Sequence, residues 1–243
     1  MAERPPAAFY AAGRGGWRDW WTLLHPPYTA WHLSYVVVGA CVAPDVHADR
    51  MVATLLAFFL AVGVGAHALD ELHGRPLRTT IPGGVLVAVT AVSVAGALAL
   101  GAVGVGVVGP ALVPFMVVGP VLVLAYNAEL AGGLVHTDAG FALSWGAFPV
   151  LTAYVAQAGT LRLAPVLVAG AAVALSWAQR SLSTPARRLR RSVHHVDGMA
   201  AMADGTVEQL DAATLLLPLE RALRATSWGM VALAAGLAVA RLS

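Results

Sequence analysis

The sequence predicts an all-α, polytopic membrane protein built as a helical bundle. Hydrophobic residues make up 58% of its 243 residues, charged residues only 12%, and the mean hydropathy is +0.73, a composition suited to lipid rather than to water. Its apolar runs reach or approach the roughly 20 residues needed to cross a bilayer core. Proline and glycine separate these runs where a helix would break, as in "IPGG" and "VGP". We therefore expect about seven transmembrane helices.

The short connections between the apolar runs favour antiparallel neighbours in a single membrane domain at 1–243, with no separate soluble domain. The predicted spans are 28–44, 51–72, 83–108, 110–131, 138–158, 163–182 and 223–241. The predicted parts are a cytoplasmic amino-terminal segment at 1–27, a six-helix core at 28–182, a cytoplasmic loop with an amphipathic helix at 183–222, and the last span at 223–241.

Arginine supplies all 15 basic residues, because the chain contains no lysine, and this excludes chemistry that needs a lysine amine, such as a Schiff base. Cytoplasmic loops of membrane proteins retain positive charge. With the amino terminus inside, twelve arginines fall on the cytoplasmic side and only Arg50, Arg162 and Arg241 fall on the other. We therefore expect an integral protein of a bacterial-type inner or plasma membrane with a cytoplasmic amino terminus. Its expected partners are membrane lipids and a hydrophobic small molecule, not nucleic acid, and the sequence sets no oligomeric state.

The stretch "AHALDELHGRPL" ends an apolar run and places two acids and two histidines within seven residues. Residues three and four apart share one face of a helix, so His67, Asp70 and Glu71 form one cluster, and His73 lies one further step from Asp70. Buried without partners, such groups would destabilise the protein, so they must be paired, hydrated or bound to a cation. A helix end paired with the arginines of the following loop is the alternative interpretation.

A second polar group lies in "AYNAELAGGLVHTDAGF". Asn127 and Glu129 end the fourth predicted span, and His136 and Asp138 open the fifth, so the turn between them brings both ends to the depth of the first cluster. Histidine and carboxylate groups from two helical hairpins at one depth are typical of a divalent-metal site between helices. Asp138 also suits a helix amino terminus, where the dipole favours an acid. His32 in the first span is a further candidate ligand, with hydrogen-bonded packing as its alternative.

Four stretches of the chain, over about residues 24–182, resemble the UbiA superfamily of intramembrane prenyltransferases in order and spacing. They are "LHPPYTAWHLSYVVVGACVAP", the first polar cluster followed by "PLRTTIPGG", "VLAYNAEL" and "FALSWGAFPVLTAYVAQAG". The resemblance implies a UbiA-like bundle. It also implies an isoprenyl diphosphate bound through magnesium at two aspartate-rich motifs, with transfer of the prenyl group to an aromatic or lipid acceptor.

The chain departs from this family pattern at the residues expected to bind the diphosphate. His67 stands where the first aspartate of the motif is expected, with Asp70 at the second position and His73 near the third. After Tyr126, where the family usually carries a basic residue, this chain has the acid Glu129, and "AQRSLSTPARRLRR" after the sixth span holds no acid. Magnesium is seldom held by imidazole, whereas zinc, iron and manganese accept mixed histidine and carboxylate sets. These changes indicate a repurposed site.

The leading hypothesis is a metal-dependent enzyme on a UbiA-like scaffold, holding one or two ions of iron, zinc or manganese and acting on a lipid-like or isoprenoid substrate. The expected metal ligands are His32, His67, Asp70, Glu71, His73, Glu129 and His136. The expected catalytic carboxylates are Glu71 and Glu129. The expected substrate-binding residues are Tyr126, Asn127, Arg75, Arg78 and Asp138. The alternatives are a divergent magnesium-dependent prenyltransferase that uses an isoprenyl diphosphate, and a non-catalytic lipid-binding scaffold.

Overall fold

The structure, a computed structural model, describes residues 6–243 and shows a helical membrane protein. Residues 1–5, the start of the predicted segment 1–27, lie outside the described part. Within that part, six helical stretches are long and apolar enough to cross a membrane. They are Ala48–Leu72, Gly83–Val108, Pro110–Asn127, Asp138–Ala158, Leu163–Arg191 and Ala212–Leu242. The predicted class of integral membrane protein associated with lipid is therefore confirmed.

Short segments with other helical geometry divide several of these stretches. The elements in chain order are α1 (Trp17–Leu23), α2 (Pro26–Cys41), α3 (Ala48–Phe58), a first π-helical segment (Phe59–Ala66), α4 (His67–Leu72), α5 (Gly83–Val108), a 3₁₀ turn (Pro110–Leu112), α6 (Val113–Asn127), α7 (Leu130–Gly133), α8 (Asp138–Ala142), a second π-helical segment (Leu143–Ala147), α9 (Phe148–Ala158), α10 (Leu163–Arg191), β1 (Gly198–Ala201), β2 (Val207–Leu210) and α11 (Ala212–Leu242). The first π-helical segment joins α3 to α4, and the second joins α8 to α9.

α2 occupies the position of the first predicted span, 28–44, and is shorter than predicted. It has 16 residues, which is about 24 Å at 1.5 Å per residue. Pro26 stands in its first turn, where the missing N–H is tolerated, and the helix ends at Cys41, ahead of Pro44. α2 is thus shorter than the roughly 30 Å hydrocarbon core, and it is not among the six long apolar helices.

α2 packs against both α9 and α11. Its side chains Trp31, Tyr35 and Val36 are buried. Gly39 allows the backbones of α2 and α9 to approach closely, because a Cβ at this position would lie 2.3 Å from the carbonyl oxygen of Val150. This contact holds α2 against the helix that follows the second π-helical segment.

The predicted polar segment at 183–222 is more regular than expected. α10 continues through it to Arg191, and α11 already begins at Ala212. Between them, β1 and β2 pair as a two-stranded antiparallel hairpin, a small departure from the all-α prediction. The last span, predicted at 223–241, is the second part of a 31-residue helix. The apolar pattern underestimated both helices because their extra turns carry charged side chains, of which Arg190 of α10 pairs with Glu220 of α11.

The last turns of α10, residues 187–191, define what we call the arginine-rich end of the bundle. There Arg190 forms a two-point ion pair with Glu220 of α11. The Arg191 guanidinium donates a hydrogen bond to the carbonyl oxygen of Ala7 at 3.2 Å, and the Arg224 guanidinium lies 4.8 Å from the centre of the Phe9 ring. The ion pair joins α10 to α11, and the contacts of Arg191 and Arg224 hold the amino-terminal segment, residues 6–16, against this end of the bundle.

Candidate functional site

Glu71, predicted as a ligand and catalytic carboxylate, is fully buried and binds the loop that follows α4. It accepts hydrogen bonds from the backbone N–H groups of Leu77 and Thr79, both at 2.8 Å, and from the Thr79 hydroxyl at 2.9 Å. Three such donors satisfy a buried carboxylate without a cation. The geometry therefore favours Glu71 as the anchor of this loop.

Among the other residues predicted near this loop, Arg75 and Arg78 also serve its structure. His73 is exposed at the end of α4. The Arg75 guanidinium donates to the carbonyl oxygen of Ile81 at 2.6 Å, and the carbonyl oxygen of Arg78 accepts from the Arg14 guanidinium at 3.3 Å. Of the first predicted cluster, the loop engages the side chain of Glu71, and His67, Asp70 and His73 form no side-chain hydrogen bond with it.

His67 is oriented by a backbone carbonyl of the first π-helical segment. Its Nδ1 lies 3.1 Å from the carbonyl oxygen of Gly63. Because a carbonyl oxygen only accepts, the neutral imidazole carries its proton on Nδ1, and Nε2 keeps its lone pair. Asp70 lies three residues further along the same helix face. Its carboxylate enters none of the ion pairs formed by residues 6–243.

Two other predicted histidines have the same orientation. The Nδ1 of His32 lies 2.9 Å from the carbonyl oxygen of Trp145, within the second π-helical segment. The Nδ1 of His136 lies 3.0 Å from the carbonyl oxygen of Tyr126. Backbone carbonyls commonly orient metal-binding histidines in this way, and π-helical segments are frequent at functional sites. When the ring is neutral, Nε2 is then the nitrogen that keeps its lone pair.

Tyr126 and Asp138 of the second predicted cluster are joined through Arg180 of α10. The Arg180 guanidinium donates to the Tyr126 hydroxyl at 3.0 Å and to the Asp138 carboxylate at 2.8 Å. The ring of Tyr126 stacks on His136 with centroids 4.5 Å apart. Arg180 thus holds the tyrosine, and through it the histidine, at the arginine-rich end.

Asn127 and Glu129, also predicted for the site, differ in their surroundings. Asn127 is buried, and its amide donates to the carbonyl oxygen of Val123 at 2.8 Å. The Glu129 side chain is 52% exposed, and one of its oxygens lies 3.9 Å from Nδ1 of His136, which is too long for a hydrogen bond. Asn127 therefore ends α6, and Glu129 flanks His136 at the surface.

Sequence reasoning missed Tyr10 and His25. The His25 ring stacks on His67 with centroids 4.3 Å apart and planes 13° apart. Its Nδ1 lies 2.8 Å from the Tyr10 hydroxyl. Burial, and then the neighbouring His67, hold the pKa of His25 well below its ordinary value, so the ring is neutral. No spacing in the sequence links His25 to His67, because the contact is made between separate elements.

Two arginines lie near Asp70. The positive charges of Arg187 and Arg191 act on its carboxylate. Neither Arg187 nor Arg191 forms an ion pair with the residues the structure describes. Guanidinium groups without a carboxylate partner attract anions and bind phosphate or carboxylate with two parallel hydrogen bonds. The arginine-rich end is therefore suited to an anionic group.

The donor groups around His67 suit some of the predicted metals better than others. Between residues 6 and 243, no three His, Cys, Asp or Glu side chains converge closely enough to hold a metal ion. His67 and Asp70 offer one imidazole nitrogen and one carboxylate, a combination that zinc, iron and manganese accept. Magnesium prefers a set of oxygen ligands, and this pair supplies one carboxylate. The mixed pair therefore fits a transition metal better than magnesium.

An apolar cavity of about 360 Å³ lies among α3, α5, α6 and α9. Ala61, Ala97 and Gly119 are among its lining residues, and Trp145 lines it towards the polar residues. The Trp145 ring also contacts the edge of the Tyr126 ring, with centroids 5.5 Å apart. Trp145 therefore connects the cavity to Tyr126, whose hydroxyl accepts a hydrogen bond from Arg180.

Comparisons of the chain with known protein families, curated proteins and solved structures find no match. The resemblance to the UbiA superfamily stays a prediction that rests on the four sequence stretches.

Proposed function

We propose that this chain is a membrane-embedded, metal-dependent enzyme that acts on a lipid-like or isoprenoid substrate at the arginine-rich end of its bundle. The observation that carries the proposal is the hydrogen bond from Nδ1 of His67 to the carbonyl oxygen of Gly63. It leaves Nε2 of His67 free to bind a cation, one helical turn from Asp70, and both belong to residue types that bind transition metals.

His67 and Asp70 are the proposed metal ligands, and iron, zinc or manganese is the proposed ion. An ion held by these two side chains would supply Lewis-acid chemistry. Arg187, which lies within Coulombic range of Asp70, attracts a negatively charged head group of the substrate. Arg180 keeps the Tyr126 hydroxyl in place at the edge of the site.

The apolar cavity supports a substrate that carries a hydrocarbon chain. Its wall is made of aliphatic, small and aromatic side chains over most of its surface, although Asp49, Arg50 and Thr54 also line it. A chain inside it would therefore contact mainly apolar groups. Trp145 lines this cavity and also contacts the ring of Tyr126. A substrate with an apolar tail and a polar head group matches the two neighbouring environments.

The proposed scaffold is UbiA-like with seven spans, of which α2 is the shortest, and its amino terminus lies in the cytoplasm. α2 is packed against α9 and α11. Its length of 16 residues is therefore tolerated, whereas a helix of this length that faced lipid would leave the polar backbone groups of its ends in hydrocarbon. The arginines of residues 187–191 support a cytoplasmic position for this end, since positive charge is retained there.

Elemental analysis of protein purified without added metal tests the proposed function. We expect iron, zinc or manganese, with His67→Ala and Asp70→Asn each lowering the bound metal about tenfold or more. His194→Ala is the matched control, because His194 is exposed in the segment before β1, and its metal content should equal that of the wild type. Magnesium alone, no metal, or unchanged metal in both site variants would contradict the proposal.

A magnesium-dependent enzyme that uses an isoprenyl diphosphate is the second candidate, favoured by the positive charge at Arg187 and Arg191. Binding of a prenyl diphosphate in the presence of magnesium tests it. If this candidate is correct, Arg187→Gln weakens binding about tenfold or more, since a guanidinium grips phosphate with two hydrogen bonds. Arg188→Gln, a change at an exposed neighbour, should leave binding unchanged. Equal binding by both variants would exclude this role for Arg187.

A further inference from the structure

The His67 imidazole is held by more than its own helix. The Gly63 carbonyl fixes one ring atom, Nδ1, and a single hydrogen bond leaves the ring free to tilt about it. The ring of His25 lies parallel to it, with centroids 4.3 Å apart and planes 13° apart. A flat neighbour at this distance blocks rotation of the His67 ring out of its observed plane.

His25 is itself fixed by its backbone and by Tyr10. Its φ of 47° lies in the left-handed region, directly before the proline that opens α2. Its Nδ1 forms a 2.8 Å hydrogen bond with the Tyr10 hydroxyl. Tyr10 is secured in turn, because its carbonyl oxygen accepts from the Trp21 indole at 3.1 Å and its ring packs edge-to-face on Tyr28. A continuous set of contacts therefore runs from the amino-terminal segment to His67.

We propose that Tyr10 and His25 are positioning residues of the metal site, which hold the His67 imidazole in the plane that presents Nε2 to the ion. This inference rests on the proposed role of His67 as a ligand. Groups that orient a metal-binding histidine are worth 10- to 100-fold in metal affinity. The amino-terminal segment thereby becomes part of the site, although it supplies no ligand.

Titration with Co²⁺, followed by its absorption bands, tests this inference. His25→Leu removes the flat ring and is expected to weaken Co²⁺ binding about tenfold and to shift the absorption bands. His25→Phe keeps a flat ring and should restore binding to within about twofold of the wild type. Tyr10→Phe removes the hydroxyl that bonds the His25 ring, and its Co²⁺ affinity should lie between those of His25→Leu and His25→Phe. His47→Leu is the control, because His47 is exposed before α3, at the other end of the span that carries His67.

A readout without metal separates this inference from the proposed function. In protein labelled with ¹⁵N-histidine, the His67 signals, assigned with His67→Gln, should show one tautomer with the proton on Nδ1. His25→Leu should convert them to a mixture, and His25→Phe should not. If the wild type binds no Co²⁺ but the His67 tautomer changes in His25→Leu and not in His25→Phe, then His25 does position His67 and the proposed metal site is wrong. If His25→Leu changes neither the tautomer nor Co²⁺ binding, the positioning is overturned.

Discussion

Glu71 and Thr79 are joined by two hydrogen bonds to one carboxylate oxygen, from the Thr79 N–H at 2.8 Å and from the Thr79 hydroxyl at 2.9 Å. Both residues are buried. The second carboxylate oxygen accepts from the backbone of Leu77. An acid that looks like a site residue in the sequence thus closes the loop after α4 and fixes the helix end that carries His67 and Asp70.

Glu71→Ala is expected to lower the free energy of unfolding by about 3 kcal/mol, because it leaves buried N–H groups without an acceptor. Glu71→Gln keeps one acceptor oxygen and should lower it by about 1 kcal/mol. Unfolding in detergent measures both. Glu208→Ala, at an exposed position of β2, should stay within about 0.5 kcal/mol. If Glu71→Gln instead loses its bound metal, Glu71 is a metal ligand, as the sequence predicted.

Asp19 attaches α1 to the same loop, and this contact predicts a pH dependence. Asp19 is buried and accepts from the Thr80 N–H at 2.9 Å and from its hydroxyl. Burial alone would raise its pKa, but the hydrogen bonds from Thr80, together with the backbone of Gly15 and the charge of Arg14, outweigh burial and hold the pKa below the ordinary value of 3.8. Since the folded protein has the lower pKa, Asp19 stabilises the fold above the unfolded value, and this stabilisation is lost as the pH falls through the folded pKa.

We therefore expect Asp19→Asn to unfold at a lower temperature than the wild type at pH 7, and the difference to shrink as the pH falls below about 4. Thermal unfolding in a pH series measures it. Asp197→Asn, at an exposed position, should match the wild type at pH 7. A difference between Asp19→Asn and the wild type that is the same at every pH would show that the charge of Asp19 contributes nothing.

Gly39→Ala should destabilise the bundle by about 2 kcal/mol, because the added Cβ would lie 2.3 Å from the Val150 carbonyl oxygen and would force α2 away from α9. Gly229→Ala is the matched change, since no atom lies within 4 Å of a Cβ there. It should be neutral or stabilise by up to about 1 kcal/mol, as alanine favours helices over glycine. Thermal unfolding measures both. Equal effects would refute the close packing of α2 on α9.

Ala97→Phe should fill part of the apolar cavity, which Ala97 lines. We expect about tenfold weaker binding of a radiolabelled isoprenoid alcohol, since its chain would lose apolar burial, while the metal content stays unchanged. Ala95→Phe, two residues away and exposed, is the control. Unaltered binding by Ala97→Phe would show that the cavity does not hold the substrate chain.

The sequence by itself determined the class of protein and most of the spans. The apolar runs predicted helices at 83–108 and 138–158, and the structure has the long helices Gly83–Val108 and Asp138–Ala158. Such agreement is possible because the transfer of a helix into lipid depends on the apolar character of its own residues. The sequence also identified His67, Asp70 and His136 as candidates, since polar groups stand out in an apolar chain.

The tertiary structure alone decided which polar groups are available. Glu71 is engaged by its loop, and His67 is held by the Gly63 carbonyl and by the ring of His25. These contacts depend on π-helical turns, on loop conformation and on the packing of an amino-terminal segment that has little helix-forming pattern of its own. No local pattern encodes them, because they join residues from separate elements whose relative positions are set by the whole bundle.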